Sequence, residues 1–426
     1  MAALSRSAPR PGTARSALSH PSFRIVWACT MASNVGTWMQ NVALGALAYK
    51  MSLSAGFVAL VGFMQLGPIL VLASVGGVLA DRFDRRKLLV ITNTQQLVFS
   101  AVLGVVVMNG TPDRATLLLV VLAIGIGNAL SGPSFASYLP RLVPREDLGG
   151  AVSLFSVQMN LSRVVGPAIG GVLLPTLGFA GIFYVNAATY LFAVVGVVKG
   201  PRCDVVRTAE SGLERLFGGF VVARRDPLVR TVLLSVTLFS FVCLPFIGLM
   251  PALAEKNLGI DVKSVQYGLL YACFGLGAAI GAMGVGSWFV DVHPERLLRR
   301  SLGLFAALLG VWALLRSATP AYPVILVLGA AYFTCTTVLA TTLQRHLDDA
   351  VRGRVLALYM MGFGGTVPLG LLLFGNISEI TGLTPIILLG VAGAAVMALV
   401  VRLHPDPVPG GLMTSASEPE SEEVSL

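Results

Sequence analysis

Apolar residues run through this chain in long unbroken blocks rather than at every third or fourth position. Twelve blocks can be marked, at 24–49, 55–80, 88–109, 115–138, 150–173, 178–198, 229–253, 266–290, 297–316, 321–342, 355–378 and 382–402. Each approaches or exceeds the roughly 20 residues that an α-helix needs to cross about 30 Å of hydrocarbon. The stretches between them are short and turn-like, as in Asn109-Gly110-Thr111-Pro112-Asp113. One longer interruption, 199–228, leaves six blocks on either side. The pattern predicts an all-α membrane protein with twelve transmembrane helices in two pseudo-symmetric six-helix bundles. Its parts are an N-terminal tail (1–23), a first bundle (24–198), a linker (199–228), a second bundle (229–402) and a C-terminal tail (403–426).

Composition agrees with that reading. Hydrophobic residues make up 55% of the 426 and charged residues 12%, and the mean hydropathy is +0.81. A soluble domain carries about a quarter charged residues, and little chain is left over to form one. The first twenty residues are rich in Arg, Ser and Pro and lack an apolar core, so they read as a polar tail and not a signal peptide. The five cysteines (Cys29, Cys203, Cys243, Cys273, Cys335) are scattered singly, which points to neither a disulfide framework nor a metal site.

The net charge of +9 is distributed in clusters between apolar blocks, not along one helix face. That is the footprint of the positive-inside rule and excludes a nucleic-acid partner. With the N-terminus placed in the cytoplasm, only Lys50, Arg114, Lys256, Lys263 and Arg316 fall outside and Arg163 falls within a span, leaving 24 of the 30 basic residues on the cytoplasmic side. The protein is therefore expected in the cell's inner (plasma) membrane, with both termini in the cytoplasm. In the linker, Leu213, Leu216, Phe217 and Phe220 recur at helical spacing beside Arg215, Arg224 and Arg225, predicting an amphipathic helix on the membrane surface. The C-terminal tail, Pro-rich and then acidic (Glu418, Glu420, Glu422, Glu423), is expected to be disordered.

The halves repeat each other. His20-Pro21-Ser22-Phe23-Arg24 opens the first block and Asp226-Pro227-Leu228-Val229-Arg230 the seventh. Leu139-Pro140-Arg141-Leu142 follows the fourth and Leu343-Gln344-Arg345-His346 the tenth. Matches at nearly one offset, at the same place in each half, favour duplication, a known plan for transporters.

The second block ends in Gly77-Val78-Leu79-Ala80-Asp81-Arg82-Phe83-Asp84-Arg85-Arg86-Lys87. An acidic group at a helix end, beside a basic cluster, can dock on the positive N-terminal end of a neighbouring helix; a loop that only sets topology would leave it solvated. The run resembles the loop between spans two and three of the major facilitator superfamily, departing from it at Asp84, where Gly is usual. The resemblance implies a gate between the halves, with Gly77, Asp81, Arg82, Arg85 and Arg86 meeting the eleventh span near Arg354. The corresponding loop of the second half keeps only Gly286, Asp291 and Arg296.

The fifth block contains Gly166-Pro167-Ala168-Ile169-Gly170-Gly171. Gly166, Gly170 and Gly171 allow close helix packing and Pro167 a kink; the run also resembles a motif of the exporter branches of the superfamily. Together with the polar first span, Asn34-Val35-Gly36-Thr37-Trp38-Met39-Gln40-Asn41, it is similar to the enterobactin-exporter-like branch. In the superfamily, spans one, four, seven and ten line the cavity, which nominates Asn34, Trp38, Gln40, Asn128, Phe135, Phe241, Tyr332 and Thr336. Arg163 lies about 13 residues into its block, near mid-bilayer at 1.5 Å per residue. A charge there is costly and usually faces a cavity or partner. Its partner is either protein (a backbone carbonyl, Asn160, Gln158 or Asn128) or a substrate anion.

No block carries a carboxylate at mid-depth, so the proton antiport that the resemblance implies has no visible proton site. A membrane enzyme would need His, Asp or Glu clustered at one face; none is seen, nor any P-loop, so no catalytic residue, metal or cofactor is expected. The expected function is secondary active export of a small amphipathic or anionic molecule by a monomer in contact with membrane lipids. A lysophospholipid carrier and a non-transporting sensor on the same fold are the alternatives.

Overall fold

A computed structural model describes residues 10–202 and 212–403, except the side chains of residues 73, 74, 77, 78, 80, 81, 212–217, 349 and 350. Cys203 and the acidic tail lie outside the described residues. Helices account for every regular element among them. Ten are long and apolar enough to cross a membrane. One of these, Arg145–Lys199, is 55 residues long and holds two spans, the fifth and sixth. Helix Leu148–Lys199 breaks at Gly178, whose φ of +65° is a left-handed conformation that glycine adopts without steric cost. Pro21–Ser52, at 32 residues, is the first span; its polar residues keep it below the hydropathy of the rest. Twelve spans result among the described residues.

The second span is hinged at Gly67, between Ala55–Leu66 and Pro68–Arg82. Arg85–Met108 and Arg114–Tyr138 are the third and fourth. The seventh passes from Pro227–Leu238 through a wide π-type turn, Phe239–Cys243, to Pro245–Gly248 and Met250–Leu258. Val265–Gly286, Pro294–Leu314 and Ala318–His346 follow as the eighth to tenth. The eleventh, Asp349–Met360, has its own π-type turn at Met361–Gly365 before Thr366–Thr381; Leu383–Val400 is the twelfth. The linker contains helix Gly212–Arg225. Both ends of the described chain lie on one face, called here the chain-end face.

The tail predicted at 1–23 is partly ordered. Thr13 caps a short helix, Ala14–Ser19, by accepting the Ser16 N–H, and Ser16 and Ala17 are buried. The Gly12 N–H donates to Asp147 Oδ1 at 2.9 Å, just before the fifth span. Six residues are too few to show a period, which is why the sequence pattern misses this helix.

The repeat in the sequence corresponds to a repeated contact. His20 Nε2 lies 2.7 Å from Asp147 Oδ2, joining the start of the first span to the connector before the fifth. His346 Nε2 lies 2.7 Å from Asp226 Oδ2, joining the end of the tenth span to the start of the seventh. The contact is kept while histidine and aspartate have changed places.

The halves pack closely where the fifth span meets the eighth. A methyl group added at Gly171 would sit 2.6 Å from Gly268 Cα. Gly166 and Gly170 instead face the first span, against Trp38, Val35 and Met39. Pro167 has no N–H to offer the Arg163 carbonyl one turn back, and Gly275 of the eighth span lies against that carbonyl. Replacing Gly268 by Leu forces this crossing apart, with an expected cost of about 1–3 kcal/mol. The melting temperature of the purified protein should fall, whereas Gly303→Leu, with nothing within 4 Å, should leave it unchanged; equal behaviour of the two variants would refute the role of the crossing.

Candidate functional site

Polar side chains inside the first bundle converge on one cavity. Its volume is 420 Å³, and it is lined in part by Thr30, Ser33, Asn34 and Thr37 of the first span, Asn93 and Gln96 of the third, and Asn128 and Ser131 of the fourth. Phe135, Phe155 and Met159 supply apolar wall, with Phe135 stacked on Phe155 at 5.0 Å between centroids. These positions lie in the parts of their helices nearer the chain-end face. The polar groups are held in a chain of hydrogen bonds: Thr37 Oγ lies 3.0 Å from the Tyr190 hydroxyl, which donates to Gln96 Oε1 at 2.9 Å. Buried polar groups linked in this way rigidify the wall they form.

Arg163 stands where the two halves meet. Its guanidinium lies 5.3 Å from the Trp38 ring of its own half and 4.8 Å from the Phe333 ring of the other. Both distances are within cation–π range. Its Nε is buried with no hydrogen-bond partner among the described residues. None of Asn160, Gln158 and Asn128 bonds to it: Asn160 donates to the Ser156 carbonyl and Gln158 to Thr30 Oγ.

The other nominated positions divide. Asn34, Asn128 and Phe135 line the cavity, and Trp38 reaches Arg163. Gln40 is buried and accepts from Asn186 Nδ2 at 2.9 Å, inside the first bundle. Phe241 packs on Phe374 at 5.6 Å. Tyr332 sits in an aromatic stack with Phe239, Phe274 and Phe363. Thr336 is buried, its hydroxyl turned to carbonyls of its own helix. Gln40, Tyr332 and Thr336 are buried and Phe241 half-buried, and none of the four lines the cavity of the first bundle. Thr30, Ser33, Asn93, Gln96, Ser131 and Tyr190 were not nominated. The signal was present in the polar run Thr92-Asn93-Thr94-Gln95-Gln96 within an apolar block.

For the gate nominated at the second span, Gly77 and Asp81 lie on helix Pro68–Arg82, but their side chains are outside those described. Arg82 is exposed at the helix end. Arg85 donates to the Ser137 carbonyl and Arg86 to the Val198 carbonyl, so these two tie down the fourth and sixth spans of their own half. Arg354 packs beneath the linker helix, which presents Gly218 and Gly219 to it.

On the face away from the chain ends the halves are locked together. Lys50 Nζ lies 3.0 Å from Glu255 and 3.4 Å from Asp261. Glu379 Oε1 accepts from Ser54 Oγ at 2.8 Å and from the Gly56 N–H at 2.9 Å. Lys263 stands 5.2 Å over the Phe179 ring. Below this lock, Gly375 approaches Ala59 closely, continuing the contact between the second and eleventh spans.

Comparison with known proteins gives one consistent family. The family described as transmembrane secretion effector matches residues 12–421. The enterobactin exporter EntS of Escherichia coli O6:K15:H31 (strain 536 / UPEC) is 28% identical over 390 residues, 90% of this chain and 91% of the relative. Among solved structures, the nucleoside transporter NupG superposes with a TM-score of 0.71 at 12% identity, over 89% of this chain and 98% of that one. A bacterial homologue of the iron transporter ferroportin, in its inward-facing state, gives 0.67 at 15% identity, over 89% and 97%. At such identities these likenesses define the fold.

The lock is built from exposed and half-exposed ion pairs, each worth no more than about 1 kcal/mol. Lys50→Ala removes two such pairs and should therefore shift the balance between closed and open forms by less than about thirtyfold, read from distances between spin labels on the two halves. The Asp261 carboxyl is held below its ordinary range, first by the Lys263 N–H and then by the Lys50 charge. Its contribution is present at neutral pH and is lost as pH falls through and below the ordinary aspartate range. Acidification to that range should loosen the lock in the native chain; label distances that do not respond in the native chain, or that change equally in Lys50→Ala, would exclude this contribution.

Proposed function

The chain belongs to the transmembrane secretion effector family of major facilitator transporters, and from that membership we propose that it exports a small amphipathic or anionic molecule by alternating access of its two halves. The observation that carries the proposal is the placement of Arg163. A cation at mid-bilayer, with an unbonded buried nitrogen and an aromatic ring from each half around it, stands one helical turn along from Met159 of the cavity wall, as Trp38 does from Asn34. Such a site binds an anionic or polar group through the guanidinium and polar wall, and an apolar or ring-bearing part through the aromatic side chains.

The direction rests on two supports. The relatives are named enterobactin exporters, and the arrangement of contacts fits a form that loads from the chain-end face. With 22 basic residues on that side of the spans among the described residues, that face is the cytoplasmic one in this proposal, and both termini are cytoplasmic with it. The lock at Lys50, Glu255, Asp261 and Glu379 then closes the outside while the cavity lies toward the cytoplasm. Export requires that lock to open and the opposite face to close. In the proposed cycle Asp81, at the end of the second span, docks on the eleventh span to close the cytoplasmic side. Phe333 leaves the Arg163 guanidinium as the halves rock, which couples cargo at Arg163 to the state of both halves. A proton gradient is the proposed driving force.

Purified protein in liposomes carrying labelled enterobactin, the cargo named for the relatives, tests this reading. Transport should stop when the pH gradient is collapsed. Arg163→Gln should lower the rate on the order of tenfold or more, as expected for losing a charge-assisted hydrogen bond, with an unchanged melting temperature. Asp81→Asn should shift label distances toward the cytoplasm-open form. Wild-type transport by folded Arg163→Gln, for every anionic or amphipathic solute carried, would overturn the role assigned to this residue.

A further inference from the structure

Away from the cavity, the two halves repeat a second constellation on the chain-end face. In the first half, the start of the third span and the end of the sixth enclose a 590 Å³ pocket lined by Asp84, Arg86, Lys87, Val90, Ile91 and Arg202. In the second half, the start of the ninth span (the third of its bundle) carries a 440 Å³ pocket lined by His293, Glu295, Arg296, Arg299 and Arg300. Each pocket thus sets three cations against one carboxylate.

The charged groups in each pocket divide in the same way. One arginine holds the neighbouring helix end. Arg86 donates to the Val198 carbonyl at the end of the sixth span. Arg299 Nε donates to the Ala398 carbonyl at 2.8 Å and its Nη2 to that of Leu399 at 3.4 Å, at the end of the twelfth. Each carboxylate is turned to backbone. Asp84 accepts the Arg86 N–H at 2.9 Å, and Glu295 Oε2 accepts the Leu403 N–H at 2.9 Å, with Oε1 3.8 Å from Arg299. The remaining cations are Lys87 and Arg202 in one half and Arg296 and Arg300 in the other. All four are exposed and form no ion pair among the described residues.

Below these cations the helix surface is apolar and exposed. On the third span Lys87 is followed on the same face, at steps of three, four or seven, by Ile91, Val98, Val102 and Val105. On the ninth span Arg296 and Arg300 are followed by Leu304, Val311 and Leu314. Each stripe crosses a membrane and so faces hydrocarbon. A cationic pocket at the head of a lipid-facing apolar stripe matches a phospholipid, with the phosphate at the pocket and an acyl chain along the stripe. The positive-inside rule accounts for cations on this face. It does not account for their being unpaired over the stripe, beside a helix-end arginine, at the same place in both halves.

We propose that these two pockets bind the phosphodiester headgroups of anionic phospholipids in the leaflet at the chain-end face, one molecule to each half. The bound headgroups screen the basic starts of the third and ninth spans, and their chains lie against the outer surface of each bundle.

Native mass spectrometry of the full chain in detergent, with dioleoyl phosphatidylglycerol, dioleoyl phosphatidylcholine or inorganic phosphate added in turn, tests the assignment. Two phosphatidylglycerol molecules should be retained in preference to phosphatidylcholine, with affinity falling as salt rises. Lys87→Gln with Arg202→Gln should remove one and Arg296→Gln with Arg300→Gln the other, each weakening its site by roughly thirtyfold. The lipid-free melting temperature of both double variants should be unchanged, since none of these four side chains bonds to another among the described residues; a drop in it would give them a structural role instead and overturn the proposal. Equal retention of the two lipids, or undiminished phosphatidylglycerol binding in both double variants, would also overturn it. Displacement of the lipid by inorganic phosphate at equal concentration would reassign the pockets to free phosphate and refute the lipid assignment.

Discussion

Hydrocarbon offers no hydrogen bonds, so every backbone group that crosses it must be satisfied inside the protein. That constraint fixes the helical architecture and also decides where irregularity is permitted. Among the described residues, the interruptions at Pro167 and at the two π-type turns lie against other helices. The carbonyl that Pro167 leaves without a donor faces Gly275 of the other half, not lipid. The π-type turns at Phe239–Cys243 and Met361–Gly365 adjoin one another in the second bundle, where the Thr366 hydroxyl donates to the Thr237 carbonyl at 3.4 Å and Gly370 lies against the Phe241 carbonyl. Spans seven and eleven are therefore interrupted only where neighbouring helices cover them. Irregular turns covered by protein are also where a helix bends at least cost.

The same constraint divides the bundles by chemistry. The first bundle contains a hydrogen-bonded polar wall, and its hydroxyls and amides are already linked through Tyr190 and Gln96. The second is filled near the interface by aromatic rings, with Tyr332 between Phe239, Phe274 and Phe363. Arg163 lies on the seam, attached to both by ring contacts and to neither by an ion pair among the described residues. A carboxylate partner would have neutralised it and anchored it to one half. Rings on both sides stabilise the charge while leaving its hydrogen-bonding edge available.

The fold was legible because membrane helices announce themselves one at a time, by length and apolarity, and the order of the blocks carries the topology. Their ends and breaks were less so. The Gly178 break and the Ala14–Ser19 helix depend on single φ values and on a cap, which leave little trace in hydropathy. For the site, the rule that spans one, four, seven and ten line a cavity nominated Asn34, Asn128 and Phe135, which line the cavity of the first bundle, and also Gln40, Tyr332 and Thr336, which are buried, and Phe241, which is half-buried against Phe374. Span membership names a helix and not its face. Asn93, Gln96 and Tyr190 were overlooked because they belong to spans three and six, outside the rule, although polar side chains inside apolar blocks are themselves an indication of a cavity.

The paired His–Asp contacts show what duplication conserved. One half uses His20 with Asp147 and the other Asp226 with His346, so the residues were exchanged while the join between a first span and a fourth-to-fifth connector was retained. Selection therefore acted on the join, not on either residue. The helix-end arginines tell the same story: Arg86 and Arg299 hold the last carbonyls of the sixth and twelfth spans from the third helix of each bundle. A bundle braced at its helix ends on the chain-end face can move as a body, as the proposed alternating access requires. The cavity residues show no such correspondence, polar in one half and aromatic in the other. Bracing is duplicated because both bundles need it, whereas the interior surfaces, polar in one bundle and aromatic in the other, were free to diverge.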